Sequence, residues 1–133
     1  MRPDDVDVTT AMAIVRQLAG RIGPRPGTSP AYRRAAAVVE GALERKGWTV
    51  RRQRFGTPGG VSWGVPVSAG PSVNLVASQG SVERGRPWLL VGAHLDTVPQ
   101  APGAEDNASG VGVLVALAEA LDDRRSRLPV LLV

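Results

Sequence analysis

The sequence predicts an α/β fold, a mixed sheet with flanking helices, and three observations carry that expectation. Two early segments, 7–22 and 29–46, repeat apolar residues at helical spacing. Two short continuous apolar runs, Trp88–Ala93 and Leu128–Val133, read as strands buried on both faces. A third helical pattern lies between those runs, so the later part of the chain is a strand–helix–strand unit.

The first helix is expected over Asp7–Ile22, with Val8, Met12, Val15, Leu18, Ala19 and Ile22 on its inner face and Gly23-Pro24 ending it. Arg25-Pro26-Gly27-Thr28 reads as a turn. Ser29-Pro30 then supplies an N-cap followed by proline in the first helical position. The second helix runs to about Lys46, with Ala31, Ala35, Val38, Val39, Ala42 and Leu43 inward and Gly47 as its stop. Trp48–Phe55 reads as a strand with a basic face. Thr57–Pro71, rich in Gly and Pro, reads as a loop. Ser72–Ser78 is a strand, Gln79–Arg86 a turn, and Thr97–Ala108 a loop. The third helix spans Ser109–Leu121, with Val113, Leu114, Leu117 and Leu121 inward. The chain ends within an apolar strand, which predicts the N-terminal portion, residues 1–133, of a single truncated domain with an unpaired strand at Leu128–Val133.

Composition excludes several classes of function. There is no cysteine, hence no disulfide, thiolate metal site or cysteine nucleophile. Arginine supplies all but one of the 16 basic residues, which reads as a coding bias. The cluster Arg45, Lys46, Arg51, Arg52 and Arg54 reads as a solvated helix end running into an edge strand, with no aromatic pattern for nucleic acid. The acidic opening Met1–Asp5 lacks the apolar core of a signal peptide, and the apolar runs are too short to cross a bilayer. A cytoplasmic location without membrane or nucleic-acid partners is expected.

The stretch Gly92–Gly110 carries the chemistry. His94 and Asp96 follow a predicted strand, and residues two apart on an extended segment point the same way. Open α/β sheets place their active sites at the carboxyl ends of strands. Asp106 lies ten residues beyond Asp96, just before a helix, where negative charge is favoured. Imidazole nitrogen and carboxylate oxygen are zinc ligands, and one carboxylate can serve two metals. A lone His near a strand end is ordinarily a hydrogen-bonding residue, and Asp-Asn before a helix is ordinarily a cap. Here the chain's one His falls at the end of its most apolar run, with acids on both sides and glycines that permit close backbone approach.

Gly92-Ala93-His94-Leu95-Asp96 followed by Gly103-Ala104-Glu105-Asp106-Asn107-Ala108-Ser109-Gly110 resembles the signature of the M28 family of zinc aminopeptidases. Gly23-Pro24-Arg25-Pro26, the Ala-rich second helix and Gly47-Trp48-Thr49-Val50 resemble that family's N-terminal region. The resemblance implies a zinc-exopeptidase fold of the phosphorylase/hydrolase-like kind. It implies that His94 is a terminal zinc ligand, that Asp106 bridges two zinc ions, and that Asp96 is the catalytic-site acid that orients the histidine. Glu105 becomes a solvated or substrate-facing charge. A cis peptide at Asp106–Asn107 is implied, as is convergence of His94 and Asp106 to roughly 3–6 Å. The family's Glu-Glu pair, later Asp and second His have no counterparts here. Implied substrates are peptides with a free N-terminus.

His94–Pro99 also fits the His-x-Asp motif of M20 metallopeptidases and deacylases. The ten-residue gap to Asp106 and the run Asp106–Gly110 favour M28. A glutaminyl cyclase, which shares the fold and uses one zinc, is a further alternative. A non-catalytic truncated product is the alternative from another class.

Overall fold

In a computed structural model, which describes residues 5–80, 85–122 and 128–133, three helices pack on a four-stranded mixed sheet. Helix α1 (Val8–Val15) begins at Asp7, whose carboxylate accepts from the Thr9 and Thr10 amides. It continues as a wider, π-helical coil over Arg16–Ile22 and ends where Gly23 adopts φ 78°. The buried face differs in part from the one expected: Leu18 is buried and Val15, Ala19 and Ile22 pack against the core, but Val8 and Met12 are 70% and 42% exposed and Ile14 enters the core instead. The widened Arg16–Ile22 coil turns the later residues relative to a regular helix, so one 3.6-residue stripe does not run through both segments.

Helix α2 (Pro30–Glu44) starts as expected, with Ser29 Oγ accepting from the Tyr32 amide at 3.0 Å. Tyr32 and Ala36 join Ala35, Val39, Ala42 and Leu43 on its buried side, while Ala31 and Val38 are only half-buried. Gly47 at φ 78° turns the chain, and the Trp48 amide donates back to the Leu43 carbonyl. Trp48 itself is buried, and its indole N–H donates to the Ala118 carbonyl at 3.1 Å.

Strand β1 (Thr49–Thr57) pairs antiparallel with β4 (Gly70–Ser78) along its whole length, from Thr49 opposite Ser78 to Thr57 opposite Gly70. The segment between them is not the predicted loop. Strands β2 (Gly60–Ser62) and β3 (Val65–Val67) form a second, two-stranded sheet closed by Trp63-Gly64, both at positive φ. Gly64 does lie in the turn, but Gly60 and Pro66 lie within the strands, and three-residue strands are too short to show alternation.

The sheet order is β1-β4-β6-β5, with β5 at Leu89–Val91 and β6 at Val130–Leu132. Two expectations fail here. Strand β6 is not unpaired: it lies between β4, antiparallel, and β5, parallel, with Val130 and Leu132 buried. Strand β5 is not buried on both faces, because it holds the sheet edge, and Trp88, Leu89 and Leu90 are 45–51% exposed. Residues 81–84 of the predicted Gln79–Arg86 turn and residues 1–4 of the acidic opening lie outside the described residues.

Helix α3 (Gly110–Asp122) buries Val111, Leu114, Val115 and Ala118, and leaves the predicted core residue Val113 exposed. It crosses α1 closely: a Cβ on Gly112 would stand 2.5 Å from the Ala11 carbonyl oxygen. Alternate β4 residues Val73, Leu75 and Ala77 meet the same core. Among the described residues, no helix is long and apolar enough to cross a membrane. Two members of the basic cluster are paired, Lys46 with Glu119 at 2.7 Å and Arg52 with Glu40.

Candidate functional site

The ladder of β5 runs one step beyond the strand, since the Ala93 amide donates to the Val133 carbonyl at 2.9 Å. His94 is the next residue, released from pairing at the carboxyl end of a parallel strand. The chain then passes Asp96 and Thr97 and returns through Pro102-Gly103 into a wide turn, Ala104–Ser109. Asp106 and Asn107 leave helical geometry there (φ −111° and −135°), and the peptide between them is cis, as the resemblance implies. Asn107 caps α3: its Oδ1 accepts from the Gly110 amide at 3.1 Å. The cap is therefore Asn107 alone, and the Asp106 carboxylate is left to project, 86% exposed, towards His94.

The structure brings His94, Asp96 and Asp106 together. His94 Nε2 is 2.8 Å from Asp106 Oδ1. His94 Nδ1 is 3.2 Å from the Asp96 carbonyl and 3.3 Å from Asp96 Oδ1. The ring is half exposed rather than packed in the core. Glu105 is exposed and takes no part in these contacts.

Both ring nitrogens face oxygen acceptors. Either a second proton on the ring or a cation between Nε2 and Asp106 satisfies that arrangement. One imidazole nitrogen and one carboxylate oxygen facing each other are donors suited to zinc. A tetrahedral ion separates two such ligands by about 3.3 Å, which the observed spacing approaches to within about half an ångström. The donor set fits the metal but does not complete its shell: among the described residues, no group of three or more His, Cys, Asp or Glu is placed to hold an ion.

Sequence reasoning missed one residue of this site. Arg25 lies in a stretch whose sequence reads as a turn, yet it is fully buried beneath the site loop. Its Nε donates to the Leu95 carbonyl at 2.6 Å, Nη1 to Pro102 at 2.6 Å, and Nη2 to Gly103 at 3.2 Å. Its amide donates to Thr97 Oγ1 at 2.8 Å, and the Thr97 amide returns a bond to its carbonyl at 3.3 Å. Burial pulls the guanidinium below its ordinary pKa, and the Asp96 carboxylate acts against that shift. Burial, followed by the same carboxylate, raises the Tyr32 phenol, whose hydroxyl donates to the Val73 carbonyl. The only sequence signal for Arg25 was its place in Gly23-Pro24-Arg25-Pro26.

Residues 74–133 match the model of peptidase family M28. This stretch of the chain is similar to the M28 peptidases. It takes in β4 from Asn74 onward, β5, His94, Asp96, Asp106, α3 and β6. The chain is 40% identical over 65 residues to the uncharacterized protein YfbL of Escherichia coli K12, covering 43% of this chain and 20% of that protein. Over 99% of its length it superimposes on 45% of the glutaminyl cyclase of Fimbriiglobus ruber, with 26% identity and a TM-score of 0.79. The zinc aminopeptidase BSAP of Bacillus subtilis gives a TM-score of 0.82 at 15% identity, over 96% of this chain and 60% of that one, a likeness of fold. The chain thus spans about a fifth of the curated relative and under half of the cyclase. It shares the mixed α/β fold of these proteins.

Proposed function

We propose that this chain contributes the His94 and Asp106 zinc ligands and the orienting acid Asp96 to the active site of a zinc aminopeptidase that acts on peptides with a free N-terminus. The observation that carries the reading is the 2.8 Å approach of His94 Nε2 to Asp106 Oδ1, with both groups open to solvent at the end of β5. His94 and Asp106 would hold zinc, which when bound would supply Lewis-acid chemistry towards a scissile carbonyl. The chain's own residues do the positioning. Asp96 faces Nδ1, where a carboxylate orients the ring and leaves Nε2, on the Asp106 side, as the nitrogen for the metal. Asn107 takes over the cap of α3, so Asp106 is not spent on the helix. No residue here is matched to the general base of the M28 pattern, so residues 1–133 alone should not turn over substrate.

The second reading is a glutaminyl cyclase. It is favoured by identities of 26% and 25% to the cyclases of Fimbriiglobus ruber and Porphyromonas gingivalis, against 15% to the aminopeptidase. Assay of the complete gene product with aminoacyl chromogenic peptides and with N-terminal glutaminyl peptides separates the two. Release of the chromophore supports the first reading; cyclisation without it replaces the first by the second. Residues 1–133 alone should bind zinc more weakly than micromolar in calorimetry, with no heat after His94→Ala. Submicromolar affinity, or turnover lost on His94→Ala, would show a more complete site.

A further inference from the structure

Arg25 lies outside the His94–Asp96–Asp106 cluster but grips both stretches of chain that carry it. Leu95, whose carbonyl takes the Nε–H, sits between His94 and Asp96. Pro102 and Gly103, whose carbonyls take the two Nη groups, lead into the turn that holds Asp106. The Gly103 carbonyl also accepts from the Ala108 amide at 3.0 Å, which closes that turn. One rigid fork thus spans the two arms of the loop from below, while the side chains of His94 and Asp106 meet above it.

We infer that Arg25 is a positioning residue for metal binding, holding the His94 and Asp106 arms of the loop at the separation from which one cation can be ligated. This inference rests on the metal-site reading. A buried cation is an expensive way to fill a core. An apolar side chain of similar size ordinarily does as well or better, and arginine is almost never fully buried without an acid. Here every acceptor of the guanidinium among the described residues is a backbone carbonyl. What those bonds specify is the path of a polar, exposed loop. The planar guanidinium offers five N–H groups in fixed directions. Lysine keeps the charge but radiates its three donors from one atom, so it cannot span Leu95 on one side and Gly103 on the other.

The test uses residues 1–133 and the one histidine, whose ring resonances are assigned without ambiguity. Zinc is titrated into wild type, Arg25→Lys and Trp48→Phe while the His94 ring is followed by NMR, and thermal melts report folding. Trp48→Phe removes the buried bond to Ala118, away from the loop, and serves as the control for simple destabilisation. Arg25→Lys should weaken zinc binding by about 10–100-fold, the usual cost of losing a group that orients a ligand. Amide exchange should accelerate selectively at Thr97 and Ala108, whose bonds depend on the clamp. Trp48→Phe should lower the melting temperature without changing the zinc Kd of the folded protein. Equal affinity in wild type and Arg25→Lys overturns the inference and leaves the metal site standing. An equal loss in Trp48→Phe also overturns it, by reducing Arg25 to general stability. Absence of any His94 response to millimolar zinc in the wild type removes the metal-site reading, and the inference with it.

Discussion

The loop from His94 to Gly110 and strand β5 adjoin in sequence and are opposite in character. The loop is largely polar, yet Gly103 is buried and Arg25, beneath it, is fully enclosed. Strand β5 is apolar, yet Leu89 and Leu90 are each 51% exposed. Burial here follows the number of structural neighbours rather than hydropathy. Arg25, Thr97 and the 102–103 carbonyls give the loop a network of directional bonds. Strand β5 has β6 on one side and, among the described residues, no strand on the other. The loop should therefore be intolerant of small changes, and the strand tolerant of large ones.

The largest effect is expected at Gly103. It adopts φ 62°, and an added Cβ would stand 2.3 Å from Thr97 Cγ2 and 2.5 Å from the Asp106 carbonyl oxygen. The second clash is with backbone, so no rotamer change relieves it. Gly103→Ala should destabilise by about 2–4 kcal/mol, combining a left-handed penalty with overpacking. Urea unfolding measures it. A loss below about 1 kcal/mol would mean that the loop relaxes freely, and the contrast with β5 would fail.

A smaller effect, about 1 kcal/mol, is expected for Ser29→Ala, which leaves the Tyr32 amide without its cap. This cap was legible in the sequence, because Ser-Pro before an Ala-rich amphipathic stretch is local information. The pairing of His94 with Asp106 was implied by the resemblance of the Gly92–Gly110 run to the M28 signature; residue types and spacing alone read equally as an ordinary histidine and a helix cap. Arg25 was not legible: its partners are carbonyls, which every residue possesses, so nothing in the sequence marks them. The exposure of β5 was not legible either, since an apolar run reads alike at the centre and at the edge of a sheet. The β2–β3 hairpin escaped because its strands are shorter than the pattern needed to recognise them. The inner face of α1 was partly misread because the widened coil from Arg16 shifts its register.

Between the two regions in expected size lies the pH response of the α1 cap. The Asp7 carboxylate is held below its ordinary value, first by the Thr9 amide and then by the Thr10 side chain. A depressed folded pKa means that the stabilisation is complete above the unfolded value and is lost as pH falls through the folded one. Wild type should therefore lose its stability advantage over Asp7→Ala as pH drops below about 4, and keep it unchanged from there to neutrality. Melting curves of both proteins across that range check the sign. An advantage that grows on acidification would mean that the carboxylate does not accept these bonds as the charged form. The cap is exposed, so the effect should be well below that of Gly103→Ala, which acts at a buried position.

The smallest effect on stability is expected at the edge strand, where the substitution itself is drastic. Leu89 lies at the start of β5, opposite Val130, with half its surface exposed, and its amide bonds to the Pro129 carbonyl. Leu89→Lys leaves that backbone bond intact and removes little buried area, so the unfolding free energy should change by no more than about 0.5 kcal/mol. Self-association should respond far more. An apolar edge strand offers unpaired backbone groups and sticky side chains to another copy, and a lysine there is the common natural guard against such pairing. Sedimentation of wild type at rising concentration should show association that Leu89→Lys suppresses, with the two melting temperatures alike at low concentration. Association that persists in Leu89→Lys would place the contact elsewhere, at another exposed apolar site such as Trp63 at the hairpin tip. A melting temperature that falls as far as in Gly103→Ala would show that β5 is more tightly held than its exposure indicates, and the opposition between loop and strand would collapse.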